Sequence, residues 1–343
     1  MKYELTKDWT KYLVYFPADK IDIYFLPQYV KLYESETEEA VCFACKNENN
    51  VFLFPILKRV FQFNNHQYFD FETAYGYGGP IANTDDVDFF WKALQLFFNF
   101  CKDNNFICGF TRFHPLLKNS IQFDTVGQLL FDRNTVAIDL TKPEDEIWMH
   151  SLTVKNRSAI KKSIKSELNF EADYAFKYLD DFISLYNNTM KKLDADDFFI
   201  FERTYYKNWI QNIPNSFLGV VLKDRKVISA AIFFYSNTFG HYHLAGSNSN
   251  YLSLNPNNFM IWEGLKELKK KDVKFLHLGG GSNGDYENSL LSFKSRFSPL
   301  RFDFYIGKMI FNHEIYKQIC KEWESNNPDK AIKLKSLLLK YKY

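Results

Sequence analysis

One order of elements occurs twice in this chain, and that recurrence limits the fold more than any single motif does. The spacing of apolar residues predicts a helix around Tyr24–Glu34, strands near Ala40–Cys45, Val51–Val60 and Tyr68–Phe71, a glycine-rich turn, a helix over Val87–Lys102 and a strand at Phe106–Phe113. Two more strands are expected near Asp124–Phe131 and Thr135–Leu140. The second half predicts helices over Thr153–Glu167, Phe176–Lys192 and Glu202–Gln211, then strands at Phe217–Leu222, Val227–Tyr235 and Gly240–Ala245. A polar turn, Gly246–Asn255, opens a helix from Pro256 to Lys271, followed by a strand at Val273–Leu278, a helix near Asn288–Phe297 and a strand at Arg301–Lys308. Each half reads as helix, antiparallel meander, special turn, helix, strand. The order repeats although the residues do not. The expectation is an α/β (α+β) chain with two similar domains, 1–146 and 147–310, and C-terminal helices in 311–343 packing back on the body.

Composition narrows the function classes. With 46% hydrophobic residues the chain can bury a sizeable core. Its 43 basic and 41 acidic side chains leave +2, which excludes an electrostatic grip on nucleic acid as the main business but not a local basic groove. Aromatics reach 19%, with 36 Phe, as an A/T-rich coding bias and aromatic cores would give. No stretch reaches the roughly 18 apolar residues of a membrane span, and Met1–Thr10 lacks an apolar signal-peptide core. A cytoplasmic protein is expected. Five cysteines (Cys42, Cys45, Cys101, Cys108, Cys320) are an odd count, which points to free thiols. Cys42 and Cys45 have CxxC spacing on an expected strand, where they face opposite ways. No metal is expected.

Several constellations carry possible chemistry. On the helix Lys155–Leu168, Leu152, Ile160, Ile164 and Leu168 define an apolar arc, and Lys155, Lys161, Lys162 and Lys165 cluster opposite it. Asn156 and Arg157 project within or beside the arc, where a charge is costly without a partner. An arginine there suits an anionic group such as phosphate. On the helix Asn288–Phe297, Lys294 projects into an arc made by Leu290, Phe293 and Phe297. A desolvated lysine is a natural partner for developing negative charge. Just upstream, Gly279, Gly280 and Gly281 follow a strand and leave room for close approach of a ligand. Asn255 reads as an N-cap and Pro256 as the first residue of a helix whose free N–H groups, beside Asn257 and Asn258, suit a phosphate or pyrophosphate. His114 closes a strand, and Asp70 and Glu72 precede the first glycine turn; His114 and Asp70 are acid/base candidates. His241 and His243 share one strand face but are too few for a metal, and Tyr242 between them joins the substrate-binding candidates. Neither a nucleophile elbow, a Walker loop nor HExxH is present.

These segments occur in a telling order. Tyr75-Gly76-Tyr77-Gly78-Gly79-Pro80, Arg112-Phe113-His114-Pro115-Leu116-Leu117, Asn156-Arg157 with basic residues after it, Leu278-Gly279-Gly280-Gly281 and Phe293-Lys294-Ser295-Arg296-Phe297 follow one another over about Tyr68 to Phe304. In this the chain resembles the FemABX-type peptidyltransferases and their relatives with Gcn5-related N-acetyltransferase (GNAT) domains. The resemblance implies two tandem GNAT-like domains, each a mixed, mostly antiparallel sheet flanked by helices, with a cleft between them. It implies transfer of an aminoacyl group from tRNA, or of an acetyl group, onto an amine of a bacterial cell-wall or surface-polysaccharide precursor. By it Lys294 matches the lysine at the acyl-transfer site. Tyr75, Tyr77, Arg112, Asn156, Arg157, Tyr242 and Phe293 fall to the substrate, and Asn257, Asn258 and Gly279–Gly281 to the donor. Two departures stand out. The helical hairpin by which some members hold tRNA is missing, and so is the acetyl-CoA loop of ordinary GNAT enzymes between Ala245 and Pro256. The expected donor is acyl-CoA, with aminoacyl-tRNA as the alternative. The expected partner is a small-molecule amine acceptor such as a sugar nucleotide or glycan precursor. A catalytically silent glycan- or nucleotide-sugar-binding module is the reading from a different class.

Overall fold

The structure is a computed structural model that describes residues 1–194, 200–285 and 287–343. The chain begins with β1 (Lys2–Thr6), α1 (Thr10–Leu13), α2 (Pro27–Val30), β2 (Glu38–Asn47), β3 (Asn50–Phe63), β4 (His66–Glu72), β5 (Ile81–Ala82), α3 (Val87–Asp103), β6 (Phe106–Arg112) and β7 (Gln128–Asp139). It continues with α4 (Glu144–Glu146), α5 (Val154–Lys165), β8 (Asn169–Asp173), α6 (Leu179–Lys192), α7 (Arg203–Asn212), β9 (Ser216–Lys223), β10 (Lys226–Tyr235), β11 (Phe239–Ser247), α8 (Pro256–Lys269), β12 (Phe275–Gly280) and α9 (Ser289–Ser295). It ends with β13 (Arg301–Ile310), α10 (His313–Asn326) and α11 (Pro328–Lys333). Two compact units result: Met1–Asp132 with Asp303–Tyr343, and Arg133–Phe302.

In the first unit β1, β2, β3 and β4 form an antiparallel meander, β4 pairs in parallel with β6, and β13 lies antiparallel on β6. Helix α3 makes the crossover between the parallel strands. Asp86 caps it by accepting the Phe89 N–H at 3.0 Å, and its apolar stripe of Phe89, Phe90, Ala93, Leu94, Phe97 and Cys101 is buried. The second unit repeats the plan. Strands β8, β9, β10 and β11 are antiparallel, β11 pairs in parallel with β12, and the end of β7 lies antiparallel on β12. Helix α8 is the crossover. Phe259, Met260, Ile261, Trp262, Leu265 and Leu268 bury it almost all round. The strand that completes the sheet beside the parallel pair is the late-returning β13 in the first unit and the opening strand β7 in the second. The units divide at 132/133 and 302/303, within β7 and β13, whereas the sequence divides by element order at 146/147 and 310/311.

Local differences have local causes. The helix expected over Tyr24–Glu34 is instead a 3-10 turn at Ile23–Phe25, the single turn α2 and a 3-10 turn at Lys31–Tyr33. Pro27 forces Leu26 into extended backbone (ψ 140°), which breaks the run. The two strands expected on either side of Asp132-Arg133-Asn134 are one strand, β7. That polar triplet reads as a turn but continues the strand. Strands β1 and β8 were not anticipated. Cys42 and Cys45 lie in β2, and all five cysteines are free and buried. Among the described residues no helix is long and apolar enough to cross a membrane.

Helix α6 packs directly on β11, and glycine sets the distance. A Cβ on Gly246 would stand 2.4 Å from the backbone of Leu185 and Tyr186. Gly246→Ala must therefore push α6 off the sheet, at a cost of roughly 1–3 kcal/mol. Urea unfolding should show a lower midpoint at unchanged slope; an unchanged midpoint would mean that the helix yields freely.

Candidate functional site

The second unit carries the expected acyl-transfer residues. Strands β11 and β12 pair from Phe239↔Phe275 to His241↔His277, and their pairing stops there. Beyond that point β11 follows β10 and β12 follows β7, so the parallel pair opens at its C-terminal end. An irregularity in the β12–β7 ladder falls between His277 and Gly279, and Gly279 has φ +75°. Glycine supplies that conformation without strain. At Gly280 a Cβ would meet the Asn134 carbonyl at 2.8 Å and Arg133 Cδ at 2.9 Å, so glycine lets β7 lie close.

Helix α9 follows this strand end. Asn288 caps it by accepting the N–H groups of Leu290 and Leu291, both at 3.1 Å. The cap orients a helix with Leu291 on the core and Lys294 buried beside it. The Lys294 ammonium donates to the Gly280 carbonyl at 2.7 Å. Among the described residues it has no carboxylate partner. Burial, with a contribution from the Arg133 guanidinium, lowers its pKa to about 7. Arg133 in turn donates to the next carbonyl, Gly281, at 2.8 Å. Two cations thus hold consecutive carbonyls of the glycine run. Arg133 escaped the sequence reading because it sits in the polar triplet that reads as a turn. Phe293 is partly buried against the core and stands edge-on to Phe297, with ring centroids 5.5 Å apart.

The remaining second-unit candidates are mostly tied to one another. Asn156 is fully buried; it donates to the Arg296 carbonyl at 3.2 Å and accepts from Asn258 at 2.6 Å. This chain of bonds links α5, α8 and the end of α9. Arg157 gives one guanidinium nitrogen to the carbonyls of Trp148, Met149 and Leu152. That nitrogen caps the C-terminal end of the π-helical turn Ile147–Ser151. Tyr242 is partly buried against the core, and desolvation raises its pKa. Its neighbour His243 is driven down to about 3 by burial and by His241.

The start of α8 also differs from expectation. Asn255 does not cap it through its side chain; it adopts a left-handed conformation (φ 56°) after the 3-10 stretch Ser249–Leu254. Ser163 donates to the Leu254 and Asn255 carbonyls at 2.8 and 3.1 Å, and the Asn258 N–H donates to the Asn255 carbonyl. The Asn257 side-chain Oδ1 accepts from Ser229 and Ser247. Much of the polar capacity expected to face a pyrophosphate is therefore engaged internally.

In the first unit the candidates fall into two sets. His114 is fully buried; its Nε2 pairs with Asp22 at 2.8 Å and its Nδ1 accepts the Leu117 N–H at 3.1 Å. Both ring nitrogens are engaged, and the contacts brace the turn after β6. Tyr77 packs edge-on against Tyr24 and Phe304, and the Tyr75 carbonyl accepts from Tyr29 at 2.7 Å. The second set is ionic. Asp70 is held by Arg59 and by the Tyr341 hydroxyl. Arg112 donates to Glu72 at 2.9 Å and to the Thr73 carbonyl at 2.8 Å. Burial alone would raise the Glu72 pKa, but Arg112 and Lys342 hold it below the ordinary range.

Residues 155–288 match the family model described as the acetyltransferase (GNAT) domain, a segment running from α5 to the cap of α9 and ending just before Lys294. None of the curated proteins matches the chain. Among solved structures, FemX is similar with a TM-score of 0.70 at 13% identity, covering 93% of this chain and 100% of that one. The C-terminal domain of a putative lysylphosphatidylglycerol synthetase from Agrobacterium fabrum gives a TM-score of 0.58 at 15% identity, covering 89% and 93%. L-PGS from Bacillus licheniformis gives 0.52 at 8% identity, covering 87% and 89%. At these identities the likeness is one of fold. The chain shares the GNAT-type fold of these FemX-like proteins, and the match over 155–288 supports an acyl- or aminoacyl-transferase.

Proposed function

We propose that the chain is an N-acyltransferase whose transfer centre is Lys294 at the glycine-lined end of β12. The observation that carries this is a buried ammonium held by one backbone carbonyl, with no carboxylate partner among the described residues. Such a group is poorly stabilised at rest and gains most when negative charge develops beside it. In the proposed reaction an acceptor amine attacks the carbonyl carbon of an activated acyl donor. The C–N bond forms and the carbonyl oxygen takes the charge, which Lys294 stabilises by donating a hydrogen bond. Collapse then expels the donor's thiolate or alkoxide, and the amine's proton leaves to solvent. The proposed acceptor is an amino sugar, a nucleotide sugar or a cell-envelope glycan precursor, and the proposed setting is cytoplasmic.

For the donor we propose acyl-CoA, supported by the match to the acetyltransferase family model and by the parting of β11 from β12. Gly279, Gly280 and Gly281 would border its acyl arm, and Asn257 and Asn258 its phosphates. A second reading, aminoacyl-tRNA, is favoured by one observation: groups at the start of α8 are already engaged internally. Calorimetry separates the two. Acetyl-CoA should bind at millimolar or tighter affinity at low salt. Binding of charged tRNA alone, weakening steeply with salt, would replace the donor with its aminoacyl form.

Lys294→Met should lower kcat by at least about a hundredfold, the scale of losing an oxyanion donor, with the circular dichroism spectrum unchanged. Because the charged form is the one that donates, wild-type kcat should fall as pH rises through about 7. The effect on stability has the opposite trend. Below pH 7 both folded and unfolded chains hold the proton, and folding bears the full cost of burying it. Between about 7 and the unfolded value of 10.5 the folded chain releases the proton first, and the cost fades. Lys294→Met should therefore melt higher than wild type at pH 6 and lose that advantage by pH 10. Wild-type turnover in the variant would make Lys294 merely structural.

A further inference from the structure

Helix α5 presents a face that the proposed chemistry does not use. Lys155, Lys161, Lys162 and Lys165 are all exposed. Val154–Lys165 contains no acidic residue, and among the described residues none of these four lysines forms an ion pair. Helix α8 differs in this respect. On α8, Lys266 pairs with Glu263 at 2.6 Å and Lys270 with Glu267 at 2.8 Å. The nearest downstream acid, Glu167, is engaged with Lys223 at 3.7 Å. The chain as a whole is balanced at +2, so α5 concentrates positive charge that the rest neutralises.

The same face also carries aliphatic side chains. Val154 is 69% exposed, Ile164 54%, and Met149, in the turn leading into α5, 58%. At 100° per residue, Val154 lies between Lys161 and Lys165, and Ile164 flanks Lys161 on the far side from Lys162. Buried Asn156, Ile160 and Ser163 anchor the opposite side, so the face is presented by a fixed helix. Lysines attract a surface of phosphates, while protruding aliphatic groups gain only where hydrocarbon lies beneath that surface. A nucleic-acid contact would use aromatic or arginine side chains for stacking, and the exposed residues of this face offer none.

We infer that the α5 face docks the protein on an anionic lipid surface, the lysines contacting headgroup phosphates and Val154, Ile164 and Met149 entering the boundary beneath them. This association is peripheral and reversible, and it does not rest on the acyl-donor assignment. For an acceptor carried on a lipid it would bring the second unit to the membrane plane.

Vesicle flotation of the full chain tests it. Wild type should float with vesicles of one part phosphatidylglycerol to three parts phosphatidylcholine in low salt, and not with phosphatidylcholine alone. Each lysine near an anionic surface contributes roughly a fivefold factor. The quadruple variant Lys155→Gln, Lys161→Gln, Lys162→Gln, Lys165→Gln should therefore lose at least tenfold in partitioning while its melting temperature is retained. Val154→Ser with Ile164→Ser should lose a few-fold with charge unchanged. Equal partitioning of the quadruple variant, or no flotation of wild type, would overturn the inference. So would binding of a structured RNA through the same lysines in the absence of vesicle binding, which would make the partner nucleic acid.

Discussion

A buried ammonium with a single carbonyl partner is the constraint around which the second unit is arranged. Lys294 loses water on α9 and recovers one hydrogen bond from Gly280. Holding that bond requires the glycine run, because Gly279 supplies the positive φ and Gly280 admits the close approach of β7. It requires the Asn288 cap, which fixes where α9 begins. It also places Arg133 next to a group of like charge, an arrangement that costs stability.

The strand order of the fold supplies this site. Each unit builds an antiparallel meander and one parallel crossover; β13, from the far end of the chain, completes the first sheet, and β7, the opening strand of the second unit, completes the other. Strand β7 thereby brings Arg133 alongside β12. In the first unit β13 flanks β6, and the C-terminal segment adds a second tie. Tyr341 bonds Asp70, and Lys342 bridges Glu38 and Glu72 at 2.6 Å each. The acidic residues before the first glycine turn are thus neutralised by the C-terminal segment.

Much of this was legible in the sequence. The meanders, α3, α8 and the parallel strands declare themselves through periodicities of two and 3.6, and Lys294 declares itself by standing on an apolar arc. What the sequence concealed has common physical causes. Pro27 broke a helix whose apolar spacing was otherwise sound. Asp132-Arg133-Asn134 looks like a turn because polarity marks loops only where the sheet does not supply partners. His114, Asp70 and Arg157 attracted attention as chemically able groups, yet Asp22, Tyr341 and three backbone carbonyls hold them, all from positions that local patterning does not connect. Asn255 has the right residue type for a cap, but its left-handed backbone turns the side chain away from that task.

The central claim is that Lys294 is a desolvated lysine poised near neutrality. Its titration can be followed without any substrate, from the side-chain carbon shift adjacent to the amine in protein labelled at lysine, assigned by comparison with Lys294→Met. The account predicts one lysine titrating near pH 7, absent from the variant, against a background titrating near 10.5. A Lys294 resonance that titrates with that background would contradict it.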